Sequence, residues 1–94
     1  MLEVKQVVQA AAQFVQDMYQ GEGIVDLRLE EVERLHDKNQ WAVTLSFARP
    51  PKHPLAQALA GSSMQRDYKI LIVDASTGAI ESMRIRELES SKAE

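Results

Sequence analysis

Apolar residues mark out the elements before anything else does. Val4, Val7, Val8, Ala11, Phe14, Val15 and Met18 recur at steps of three and four, which places them on one stripe of a helix over residues 2–19. Gln6, Gln9, Gln13, Gln16 and Asp17 fall mostly on the opposite side. Gly21 and Gly23 tolerate the left-handed conformation that ends helices, so the helix is predicted to stop near Tyr19 or Gln20.

The period then changes to two. Val25, Leu27 and Leu29 alternate with Asp26, Arg28 and Glu30, as in a half-buried strand. Val32 breaks that alternation. A bulge near Glu30-Glu31 restores a single buried face; a helix from Leu29 to Leu35 also accommodates the spacing. The bulged strand is favoured, because His36-Asp37-Lys38-Asn39 is polar turn chemistry and a new strand follows directly. In residues 40–47, Trp41, Val43, Leu45 and Phe47 point one way, with Ala42, Thr44 and Ser46 the other. Arg49-Pro50-Pro51 ends that strand, since proline cannot donate to a ladder.

Residues 49–65 form a long connection that holds all three prolines, with room for a short helical turn from Pro54 to Ala60. Arg66 to Asp74 predicts a strand, apolar on both faces in its middle and therefore central in its sheet. Asp74-Ala75-Ser76-Thr77-Gly78 predicts a hairpin turn, Ala79 to Ile85 the last strand, and the chain from Arg86 onward reads as polar and frayed. The expected fold class is α+β: an N-terminal helix packed on one face of a four-stranded antiparallel sheet, in the order α-β-β-loop-β-β. Residues 1–86 are expected to form one domain and 87–94 a disordered tail. The sheet face away from the helix is expected to lie open, with Thr44 and Ser46 on it.

Composition narrows the functions. At 94 residues the core is thin, and a large internal active site is hard to accommodate. There is no cysteine, which excludes disulfides, thiolate chemistry and Cys-ligated metals. The first residues lack the basic and apolar regions of a signal peptide, and the longest apolar run is Ile70 to Val73, so the expectation is a soluble cytoplasmic protein with no membrane contact. A net charge of −3 argues against a nucleic-acid partner.

Candidate chemistry is sparse. His36 and His53 fall in different loops without neighbouring ligand motifs, and a metal site needs three or four convergent ligands. Asp26, Glu30, Glu31 and Glu33 are interleaved with Arg28 and Arg34, the pattern of solvated ion pairs. Trp41 and Tyr68 are expected in the core. Arg49, Lys52, His53, Arg66 and Lys69 make the long loop and its flanks basic, without the interleaved aromatics that base stacking needs.

The segment from Asp67 to Ile80, with its tyrosine, alternating apolars and Asp-Ala-Ser-Thr-Gly turn, resembles the closing hairpin of PepSY-like domains. The opening helix and the Trp41-to-Leu45 strand stand in that family's order. The resemblance implies an α+β fold and a regulatory or interaction role rather than catalysis, and it transfers no functional residue.

The expected function is therefore a small non-enzymatic protein-interaction or regulatory module with no catalytic residue, cofactor or metal. A protein partner or self-association is expected, through exposed strand edges or a surface containing Arg49, Lys52, His53, Arg66, Thr44 and Ser46. The alternative is a small-ligand binder with a pocket between helix, sheet and the 49–65 loop.

Overall fold

The computed structural model describes residues 1–50 and 65–86. The predicted helical turn at 54–60 and the tail at 87–94 lie outside them, as do Lys52 and His53. Helix α1 spans Val4–Met18. At its start the Glu3 backbone N–H donates to the Gln6 side chain at 2.9 Å, which satisfies one of the donors a helix terminus leaves over. Gly21 and Gly23, at φ +87° and +72°, turn the chain out of the helix.

Four strands follow: β1 Val25–Leu35, β2 Gln40–Arg49, β3 Gln65–Asp74 and β4 Ile80–Ile85. They form one antiparallel sheet in the order β1-β2-β3-β4. The ambiguous segment is a strand along its whole length, with register shifts between Val25 and Arg28 and between Leu29 and Glu31. The second is the bulge that the spacing of Leu29 and Val32 demands. In the first, Asp26 adopts φ +57°, a left-handed conformation that aspartate tolerates better than most side chains. A single 3-10 turn, His36–Lys38, with Asn39 at φ +53°, joins β1 to β2.

The parity of β2 decides the layers. Val43, Leu45 and Phe47 meet Leu71 and Val73 of β3 under Val7, Ala11 and Val15 of α1. The remaining stripe residues of α1 flank that line. Val4 and Met18 are exposed, because a stripe this wide cannot lie flat on one sheet. Trp41 packs at the core margin with the Arg34 guanidinium over its ring, and Tyr19 tilts against Phe47 with centroids 4.8 Å apart.

Tyr68 departs from expectation. It pairs with Ser46 in the ladder and so lies on the face away from α1, not in the core. The residue sits one position out of phase with Lys69 and Leu71, which face the helix. Arg86 also departs from the frayed end expected for it. Its N–H donates to the Tyr68 carbonyl at 2.9 Å and continues the ladder by one residue.

Candidate functional site: the sheet face away from the helix

The register sets out this face row by row. β2 contributes Ala42, Thr44, Ser46 and Ala48, all small; beside them β3 contributes Ile72, Ile70, Tyr68 and Arg66. β1 adds Glu33, Glu31 and Arg28, and β4 adds Ser82 and Arg84. No described element covers the face. Small residues on a central strand leave a trough, and long side chains from both sides fill it.

Two arginines cross that trough. Arg66, from β3, donates through Nη1 to Ser46 Oγ at 2.7 Å and through Nη2 to the Asp26 carboxylate. Ser46 in turn donates to Glu30 Oε2 at 2.7 Å. The hydroxyl thus accepts from a cation and donates to an anion, using both of its capacities. Arg86, from the end of β4, reaches over β3 to Thr44 Oγ1 at 2.9 Å and Glu31 Oε1 at 2.7 Å. Thr44 and Ser46 are consequently only 4% and 0% exposed. They are on the predicted face but lie beneath the charged side chains that a partner would meet first.

Electrostatics follow from this packing. The Arg28 guanidinium hydrogen-bonded to Asp26, with Arg66 on the same carboxylate, holds the Asp26 carboxyl below its ordinary value. In the β3–β4 turn, the backbone N–H groups of Thr77 and Ser76 donate to Asp74 and hold its carboxyl low as well.

Beyond the two arginine rungs, near the β1–β2 turn, the face hollows into a concavity of about 420 Å³. Half-buried Ile70 and Ile72 form its apolar part with Leu35; Lys38, Arg84, Ser82 and the Gln40–Glu81 hydrogen bond form its polar part. Among the described residues, the side chains of Glu33, Lys38 and Arg84 make no hydrogen bond or ion pair, whereas those of the rung residues are all engaged.

Of the residues singled out from sequence, Arg66, Thr44 and Ser46 come together here. Arg49 has the opposite parity. Its guanidinium is held by Asp67 and Glu22 beside the α1–β1 connection. Sequence reasoning read Asp26, Glu30 and Glu31 as solvated ion pairs without bringing them to this face, and it missed Arg84 and Arg86; with two register shifts in β1, no local spacing signals which of them meet. A second hollow, apolar and about 440 Å³, lies between α1 and β1 among Val4, Val8, Leu29 and Val32. Among the described residues no three His, Asp or Glu side chains converge as metal ligands, and no helix is long and apolar enough to cross a membrane.

These features define a two-layer α+β domain with charged and polar side chains on a sheet face that no described element covers. Comparison with known protein families, with curated proteins and with solved structures gave no match.

Proposed function

We propose that the protein is a non-enzymatic interaction module, cytoplasmic in setting, that docks a protein through the sheet face away from α1. The supporting observation is the coexistence of half-buried Ile70 and Ile72 with Lys38, Arg84 and, on β1 of the same face, Glu33, charges whose side chains have no partner among the described residues. Apolar area ringed by charges that lack partners is the composition of a docking surface: a central apolar patch excludes water and a polar rim sets orientation. The charged groups on the face are engaged with one another or open to solvent, and none is arranged as a nucleophile beside a base. The PepSY-like hairpin of residues 67–80 supports the same regulatory reading.

The test compares wild type with Ile72→Lys in proximity labelling in the cell. Partners labelled by wild type and lost from the equally folded variant support the reading. Identical partner sets sink it. The alternative, a small-ligand binder, has its support in the α1–β1 hollow. That site lacks converging polar groups to orient a ligand. An apolar fluorescent probe that binds wild type and is not displaced by Val8→Gln removes it.

A further inference from the structure

The outer face is closed at one end and open at the other. Around Thr44 and Ser46 its charges engage one another: Arg66 holds Asp26, Arg86 holds Glu31, and Ser46 bridges Arg66 to Glu30. Toward the β1–β2 turn the pattern changes. The hollow of about 420 Å³ there has half-buried Leu35, Ile70 and Ile72 as its apolar part. Lys38 and Arg84 line it as well. Both are exposed, and neither side chain has a hydrogen bond or ion pair among the described residues. The carboxylate in the lining, Glu81, already accepts from the Gln40 amide. A second depression of about 380 Å³ lies around the turn, and Leu35 and Lys38 line both. Lys38 thus borders a trough longer than one side chain.

We infer that the partner docked here is an acidic segment of another protein, which lays an apolar side chain on Ile70 and Ile72 and carboxylates on Lys38 and Arg84. The inference rests on the docking role proposed above and names the chemistry of the partner. Its sign follows from charge complementarity. Two cations without partners flank an apolar floor, and a carboxylate gives each of them a charge-assisted hydrogen bond. A basic or neutral segment would take water from both and return no partner to either. Its size follows from the shape. The floor is one face of a sheet with no described element above it. A small molecule there would keep one side in water, whereas ligand sites enclose roughly 70–90% of what they bind. A protein segment brings its own body to cover the isoleucines. Nucleic acid fits less well, because among the described residues no aromatic side chain lines the hollow to stack a base, and Glu81 repels phosphate. The chain's net charge of −3 opposes an acidic segment at long range, so the attraction is local, within a Debye length of about 8–10 Å.

Amide chemical shifts of the full chain read this out during titration with a short capped peptide that has one leucine between two aspartates. The expected result is a dissociation constant of about 0.1–1 mM, with shifts gathered at Lys38, Ile70, Ile72 and Arg84. A peptide with lysines for the aspartates, and one with serine for the leucine, are each expected to bind at least about fivefold more weakly. Lys38→Glu and Arg84→Glu are each expected to raise the dissociation constant at least about threefold. Lys5→Glu makes the same change in net charge from α1, on the other side of the sheet, and is expected to leave it within about twofold. All three positions are exposed, and dispersion of the amide resonances checks that the variants fold. No shifts up to about 10 mM peptide overturn the inference. So does equal binding of either control peptide, or equal weakening by Lys5→Glu. A thymidine oligonucleotide that binds the same residues more tightly than the aspartate peptide overturns it in favour of nucleic acid. If Ile72→Lys loses its labelled partners while Lys38→Glu/Arg84→Glu keeps them, the acidic partner is wrong and the docking face stands with another protein on it.

Discussion

Ser46 carries more than its size suggests. It has 0% exposure and sits between a guanidinium and a carboxylate that come from strands on either side of it. Ser46→Ala leaves Arg66 and Glu30 each short of one bond at a place that water reaches poorly. The expected loss is about 1–3 kcal/mol, read by urea unfolding with the single tryptophan, Trp41, as the probe. A loss below experimental error would show that the rung is held by Asp26 alone. Asp74 makes a pH prediction. Its carboxyl is held below the ordinary value of 3.8 by the N–H groups of Thr77 and Ser76. A carboxyl with a lower pKa folded than unfolded contributes stability above the unfolded value, and that contribution fades as pH falls through the folded one. Acid titration of wild type is thus expected to lose stability below about pH 5, with Asp74→Asn showing a shallower acid limb. Equal slopes in the two proteins would remove Asp74 from the account.

At the scale of elements, the sequence revealed most where period and parity alone decide. The alternation Trp41-Val43-Leu45-Phe47 fixes the inner face of β2, and the three-residue step from Leu29 to Val32 requires the bulge in β1 that the structure contains. What stayed hidden depends on the distance a side chain spans. Arg86 lies at the end of a strand, yet its guanidinium acts two strands away at Thr44 and three strands away at Glu31. No local pattern encodes that reach. Tyr68 was misread for a related reason, since the middle of β3 is apolar on both faces and its phase is visible only from its pairing with Ser46. Lacking that phase, sequence could place Thr44 and Ser46 on the outer face and Arg66 at the flank of the long loop, but could not join Arg66 or the acids to that face. The bulge leads to a deletion test. Removing Glu30 joins Leu29 and Val32 into plain alternation and is expected to leave a cooperatively folded chain. Inserting one alanine after Val43 throws Leu45 and Phe47 onto the wrong face and is expected to abolish folding. Dispersion of amide resonances separates the two outcomes. The β3–β4 turn is less forgiving. Gly78 has φ +81°, and a Cβ there would stand 2.9 Å from Leu2 Cδ1, so Gly78→Ala is expected to cost about 1–3 kcal/mol in thermal unfolding.

For the whole molecule, the two faces of one sheet divide stability from binding. The face under α1 is dry and made of Val7, Ala11 and Val15 against Val43, Leu45, Phe47, Leu71 and Val73. A domain of this size holds few such residues, and its net stability sits toward the low end of roughly 5–15 kcal/mol. Phe47 is its largest fully buried side chain. Phe47→Ala removes the ring that Tyr19 leans on and opens a cavity beneath the helix, at an expected cost of about 3–5 kcal/mol, a large share of the total. The opposite face holds together by exchanging charges across a trough of small residues, and its isoleucines are only half covered. Ile72→Lys places a flexible cation where solvent already enters and is expected to leave the melting temperature within a few degrees of wild type. The paired experiment is thermal unfolding of both variants beside their association behaviour. Phe47→Ala should melt early while its remaining folded fraction still associates; Ile72→Lys should melt with wild type and fail to associate. If Ile72→Lys instead melts as early as Phe47→Ala, the outer face belongs to the core of the fold. The division between a face that stabilises and a face that binds would then not hold.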